Sequence, residues 1–482
     1  MKKNLLLFIC FIGLLNKHKA QTYSSLNINL LAHINPETDN TGSDGRKYSG
    51  CWGWFQATKN KEYAIVGTSS KTYFVDVTVP TNPIIVDSVK ARRTGCTWRE
   101  VKTYQNYCYI VSDDSPPNSF QIVDMQYLPD SVHVVHNGTN YFERSHTIFV
   151  DHDRLYCGAP KDVTTGYQST MRVYSLANPE NPVLLRRLED DISLTQIDYV
   201  HDMFVRNDTI YASTGWKGLQ VLTFNTATNT FSLIQTFAGY PFSGYNHSSW
   251  QTDDRKTMVF ADEVSAGLPA KVIDVDNLNN ITLVDTIRSN LGATAHNPYI
   301  VGNRWCWMST YVDGIYLYDI SNPANTTIHG YFDTYPQHGV NDNQYSPAYR
   351  GNWGAYPYLP SKIIIACDMQ NGIFILEGDN TYKNSVEPSV GLKETEIPSS
   401  LFSVYPNPAK NELNFLIANQ QSKTIMCSIT DVFGKIVKVE SINCNQPFYK
   451  TTINTNQLID GCYFITLKGN HINETKKVII QK

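Results

Sequence analysis

Charge is scarce in this chain: Asp, Glu, Lys and Arg make up 17% of its 482 residues, against roughly 25% in an average soluble domain. No long run of Lys or Arg occurs and the net charge is −4, so neither nucleic acid nor an anionic membrane surface is an expected main partner. Past the first twenty residues no apolar run approaches the roughly 20 residues that a spanning helix needs. Cys-x-x-Cys spacing is absent, which removes support for a zinc site of that type and for a thioredoxin-like motif. Also missing are a Gly-x-Ser-x-Gly elbow, a His-Glu-x-x-His helix and a phosphate-cradling Gly-rich loop. A site assembled from distant parts of the fold stays open. The amphipathic helical period is lacking too, which disfavours a βαβ sheet and a helical solenoid.

What the chain does have is β-forming residues, including 30 Tyr. Lys2 and Lys3 precede an apolar run from Leu5 to Leu15, and Ala20 stands before Gln21. That order is expected of a secretory signal peptide over residues 1–20. Its removal takes away four Lys and no acid, leaving a charge of about −8. Nine cysteines follow Cys10. In an exported chain disulfides are tolerated, but most of these cysteines read as small buried hydrophobes. Cys51 and Cys96, one repeat apart and each just ahead of a Trp, are the one pair worth testing as a bridge.

A repeat of about fifty residues organises most of the chain. Tyr73-Phe74-Val75-Asp76-Val77, followed by Pro80 and Pro83, returns as Gln121-Ile122-Val123-Asp124-Met125 and as Val173-Tyr174-Ser175-Leu176. It returns again as Val221-Leu222-Thr223-Phe224, Val272-Ile273-Asp274-Val275, Leu317-Tyr318-Asp319-Ile320 and Ile375-Leu376-Glu377. An independent landmark keeps the same count: Trp52, Trp98, His146, His201, His247, His296 and Trp353 open successive units at spacings of 46 to 57 residues. Short strands at this period predict an all-β fold, a seven-bladed β-propeller with four-stranded blades.

These VDV-with-Pro strands occur with Glu62-Tyr63-Ala64-Ile65-Val66-Gly67, Trp98-Arg99-Glu100-Val101-Lys102, His201-Asp202, His296-Asn297, Phe332-Asp333-Thr334-Tyr335-Pro336 and Trp353-Gly354-Ala355-Tyr356-Pro357-Tyr358. Together they resemble the LVIVD-repeat propellers grouped as the choice-of-anchor B family, over roughly residues 26–378. Units three, four and seven depart from the pattern by lacking the Asp of the VD pair, and Trp52 is followed by Gly53-Trp54 where the family has Gly-Tyr. Beyond Gly378 a stretch rich in Asn, Ser, Glu and Pro reads as a linker. Then come Val404-Tyr405-Pro406-Asn407-Pro408-Ala409, Asp431-Val432-Phe433-Gly434-Lys435, Gly461-Cys462-Tyr463-Phe464 and Lys476-Lys477-Val478-Ile479-Ile480. In that order they are similar to the type A C-terminal sorting domain of the type IX secretion system of Bacteroidota. The bland alternative is a small β-sandwich accessory module. The expected domains are therefore a signal peptide at 1–20, a propeller at 21–378, a linker at 379–400 and a small β-sandwich sorting domain at 401–482. The second resemblance implies export, contact with the type IX secretion machinery, and release or cell-surface attachment.

In a propeller blade the start of the first strand lies across from the end of the second. The seven openings are thus expected to ring one mouth of a central channel, with Asp113, Asp114, Asp262, Glu263 and Asp368 at the same end. His146, His201, His247 and His296 with Asp262 and Glu263 form a candidate metal set, because imidazoles suit Cu, Zn, Fe or Ni and carboxylates neutralise charge. The alternative is structural: in WD-repeat propellers a His near this strand start hydrogen-bonds within and between blades, as buried polar groups require. Trp52, Trp98, Arg99, Glu100 and Trp353 are candidate ligand-binding residues. Asp39-Asn40-Thr41-Gly42-Ser43-Asp44-Gly45 lacks the downstream Glu of a calcium loop and reads as a polar turn. The expectation is a secreted or surface-displayed module that binds an extracellular ligand or protein. An extracellular metalloenzyme is the competing reading.

Overall fold

The computed structural model describes residues 22–41, 45–114, 118, 120–338, 349–386, 402–405, 407–418, 424–443, 448–469 and 473–482. The expected signal peptide, residues 387–400 of the expected linker, Cys444 and Pro406 lie outside them. The chain divides into two compact units, residues 1–392 and 393–482, and the regular structure of the described part is almost all strand.

Among the described residues the first unit contains seven antiparallel sheets. The first is built in chain order from Tyr48–Gln56, Lys61–Thr68, Lys71–Asp76 and Ile84–Lys90. The next four repeat this up-and-down order, beginning at Arg99, Thr147, Asp202 and Tyr245. The sixth begins at Pro298 and gains a fifth strand, Ser25–Leu26. The seventh has three strands from residues 352–378 and takes its fourth, Ile28–Ile34, from the start of the chain, paired with Gly372–Gly378. First strands of successive sheets pack on one another, the sixth reaching the seventh through its second strand, and the seventh returns to the first. Inner strands are therefore covered on both faces, which explains why Ile363-Ile364-Ile365-Ala366-Cys367 is a continuous apolar run rather than an alternating one. Outermost strands such as Ile84–Lys90 are half exposed.

The recurring VDV segment is the third strand of each sheet, and two local features account for its sequence. Where it pairs with the fourth strand, the register slips by a residue in all seven sheets, for example between Phe74 and Val75, Val221 and Leu222, and Val272 and Ile273. Such bulges bend a strand and increase its twist. The polar residue then closes the following turn. Asp76, Asp124, Asp274 and Asp319 each accept the backbone N–H two residues on, at 2.9–3.0 Å. Ser175 accepts that of Ala177 at 3.2 Å and Asn225 that of Ala227 at 3.0 Å. Unit three lacks the Asp yet keeps the turn through a hydroxyl oxygen, whereas in unit four the acceptor is Asn225, two residues past Thr223 at the Asp position.

Structure continues past Gly378. Asp379 caps a short helix, Asn380–Ser385, where the sequence suggested a linker. Its Tyr382 is wholly buried, edge-on to Trp307 with ring centroids 5.3 Å apart. Ser385 Oγ accepts the indole N–H of Trp305 at 2.7 Å. The eight cysteines described are free, seven of them buried. Cys96 Sγ lies 3.2 Å from Asn118 Oδ1 and Cys51 meets Cys367, so the Cys51–Cys96 bridge does not form. Residues 42–44 of the expected polar turn at 39–45 lie outside the described residues; on either side of them Thr41 N–H donates to the Arg46 carbonyl at 2.7 Å.

The second unit pairs a three-stranded sheet, Phe402–Tyr405, Glu412–Ala418 and Phe448–Asn454, with a four-stranded one. Ile425, Cys427 and Ile429 alternate inward and join Leu413, Phe415, Ile465, Leu467 and Val478 in one apolar cluster. Asp431 Oδ1 accepts the N–H groups of Phe433 and Lys435 at 2.9 and 3.0 Å. Gly434, at φ +81°, supplies the left-handed conformation that this turn needs. Asn407 bonds the last strand twice, to Lys477 O at 3.2 Å and Ile479 N at 2.8 Å.

Candidate functional site

The starts of the first strands converge on one recess. Its lining includes Trp98, Arg99, Glu100, His146, His201, His247, His296 and Trp353, and with a cavity volume of about 20 Å³ it has room for about one water. The rings form an arc with centroid steps of 4.2 Å from His146 to His201, 4.3 Å to His247, 4.4 Å to His296 and 4.1 Å to Trp353. Trp353 then stacks on Trp98 at 4.7 Å. The arc follows from the repeat: one ring per sheet, at the same strand position, on neighbouring first strands.

Three imidazoles are anchored in the same way. Nδ1 of His201 bonds the carbonyl of His247 at 3.1 Å, that of His247 the carbonyl of His296 at 3.2 Å, and that of His296 the carbonyl of Trp353 at 2.6 Å. A carbonyl only accepts, so each Nδ1 carries the proton and, in the neutral ring, each Nε2 presents a lone pair. These bonds tie the fourth, fifth, sixth and seventh sheets in succession. They leave Nε2 free for a second role. Burial, together with neighbouring imidazoles, depresses the proton affinity of His201 and His296 well below the ordinary range.

His146 differs. Burial disfavours its charge, but Asp113 at 2.5 Å, with Glu100 and Asp202, outweighs this and pushes its pKa up to about 9. At neutral pH it is an imidazolium held by a carboxylate, and therefore a poor metal ligand.

Glu263 Oε2 lies 3.7 Å from His247 Nε2, and its other oxygen accepts the Tyr311 hydroxyl at 2.5 Å. Asp262 is placed apart. It is wholly buried against Lys271 Nζ at 2.6 Å and also accepts from Tyr240, Gly244 and Asn246. A register shift opposite these residues leaves Glu263 as the extra residue of the strand, and of the two acids it is Glu263 that reaches His247 while Asp262 is committed to Lys271. Asp114 accepts the backbone N–H groups of Thr97 and Trp98. Asp368 accepts from Thr334, Gln370 and Asn371, and burial raises its pKa to about 7.

Trp52 does not line the recess. A register shift between Tyr48 and Cys51 sets it deeper along its strand, against Tyr356 at 4.8 Å. Lys102 links it to the site, with Nζ 4.2 Å from the Trp52 ring centre and 3.4 Å from Glu100 Oε2. Arg99 is 3% exposed and spends its Nε on Thr68 O at 2.6 Å, so its backbone neighbourhood rather than a free guanidinium borders the recess. Burial raises the proton affinity of Glu100, with Lys102 opposing. Among residues the sequence did not single out as site residues, Asp202, Asn297 and Thr147 border the recess and Tyr311 supports Glu263. Asp202 and Asn297 directly follow repeat histidines, which was a usable signal; Tyr311 sits in a loop with none.

In the second unit, residues 403–481 match the family model described as "Secretion system C-terminal sorting domain". The tail is a type IX secretion C-terminal sorting domain. It supports export through type IX secretion and implies interaction with that machinery and a cell-surface or extracellular location. Its motif now has a physical basis, since Asn407 joins the opening of the sorting domain to the Lys-rich final strand. No curated protein matches the chain. Among the described residues no helix is long and apolar enough to cross a membrane.

Proposed function

We propose that the first unit is a seven-bladed β-propeller of the LVIVD-repeat, choice-of-anchor B type, extending through the helix at 380–385. The exported chain then acts at the cell surface or beyond it as a binding module for an extracellular ligand or protein. Cyclic packing of seven sheets, with the first and last joined by an N-terminal strand, supports the propeller. The observation that carries the binding role is the convergence of strand-start residues from successive sheets on one recess bordered by Trp98, Trp353, Glu100 and Asp202. A stacked aromatic wall beside carboxylates suits a small polar ligand or a polar side chain of a partner.

Glycan and secreted-protein arrays probed with the full chain test this reading. Trp98→Ala and Glu100→Gln should each weaken every specific signal at least tenfold, while Phe433→Ala, in the sorting domain, should not. Signals that survive both recess changes would place binding elsewhere and overturn the proposal.

A further inference from the structure

We infer that His247, His296 and Glu263 form a divalent transition-metal centre whose remaining coordination position is open, and that zinc is the ion the donor set fits best. One ligand atom from each of the three lies within 4.8 Å of the other two. His247 Nε2 and Glu263 Oε2 are already 3.7 Å apart. Tetrahedral zinc with bonds of about 2.0–2.1 Å holds its donors about 3.3 Å from one another, so the widest pair must close by roughly 1.5 Å and the nearest hardly at all. Among the described residues no other group of three metal-ligating side chains converges this closely.

Two further observations point to a bound ion. His296 is wholly buried and its Nε2 meets no partner, although buried polar atoms are ordinarily paired. The ligands are also oriented from behind: both histidines hold a backbone carbonyl on Nδ1, at 3.2 and 2.6 Å, and Tyr311 holds Glu263. Bonds of this kind behind a metal ligand fix its tautomer and ring orientation. His146 is excluded by its pairing with Asp113, and Asp262 by its pairing with Lys271. Two histidines and a glutamate make three protein ligands, the count of an open rather than a closed zinc site. His247 and His296 border the recess, which gives the ion a path in and the open position access to water or a ligand donor. The centre stands whether or not the recess takes a further partner, and it is what the metalloenzyme reading would require.

The test uses the full chain stripped with a chelator, titrated calorimetrically with Zn²⁺, and loaded separately with Co²⁺ for absorption spectroscopy. One equivalent of Zn²⁺ is expected. Glu263→Gln and His296→Phe should each weaken binding at least tenfold, and His133→Gln, on an exposed outer strand away from the recess, should leave it within about twofold. Cobalt should show visible d–d bands without thiolate charge transfer. Substoichiometric binding, or affinity unchanged in both ligand variants, would overturn the centre. If His296→Phe fails to fold, Glu263→Gln and the wild-type cobalt spectrum still decide, since a strong thiolate band would place the ion on cysteine.

Discussion

Replacing His146 with Gln should flatten much of the fall in stability that the wild-type chain shows between pH 6.5 and 9. Asp113 and its neighbouring carboxylates raise the folded-state pKa of His146 from 6.5 to about 9. A base whose folded pKa is raised contributes its full stabilisation below 6.5 and loses it as pH rises through 9. At about 1.4 kcal/mol per tenfold change in proton affinity, the ceiling is roughly 3 kcal/mol. Both side chains retain some solvent access, 18% for His146 and 22% for Asp113, so screening brings the expected amount to about 2 kcal/mol. All eight Trp lie between residues 52 and 353, so urea titrations followed by Trp fluorescence report the first unit alone. Buried thiols such as Cys108, Cys157 and Cys306, whose pKa burial raises, add their own alkaline loss as they ionise on unfolding. The difference between wild type and variant removes that common background. Asp113→Asn should flatten the curve in the same way. Parallel curves for wild type and both variants across pH 6.5–9 would refute the assignment of His146 as a held imidazolium.

Three other outcomes follow from packing. Lys271→Met leaves the Asp262 carboxylate buried without its cation and should cost about 3–5 kcal/mol, whereas Lys271→Met with Asp262→Asn should recover most of it; equal losses in urea titration would contradict this. Tyr382→Ala should destabilise the first unit by about 3–5 kcal/mol in the same assay, and a negligible change would mean the helix is not part of the core. Deleting residues 22–34 uncovers the edge of Gly372–Gly378 and should yield aggregating or non-cooperatively unfolding protein, so a monodisperse, cooperatively folded truncation by light scattering and urea titration would show that closure by this strand is dispensable.

Much of this molecule was legible because its signals are local and repeated. The β-branched strand, its bulge and the polar residue near its turn act within a few residues, so seven copies announce seven sheets and bring six of the seven opening rings to one recess. The tail was legible for a similar reason, its motif being confined to one small unit. The helix at 380–385 was hidden because its polar composition resembles a linker; Tyr382 is its one buried residue, and only the neighbouring Trp305 and Trp307 make it structural.

The site divides along the same line. Sequence spacing alone brought His146, His201, His247 and His296 to one end of their strands, because strand-start position is a matter of period. It could not separate their roles, since each depends on what another sheet supplies: Asp113 charges His146, a carbonyl orients each of the other three, and Tyr311 steadies Glu263. Nor could it choose between Asp262 and Glu263, adjacent in the chain at a register shift and committed to different partners. A one-residue register shift likewise removed Trp52 from the recess while its spacing still matched the repeat. Periodicity along the chain determines which residues recur at one height, whereas register and cross-sheet partners, which exist only once the sheets close on one another, determine which atoms meet.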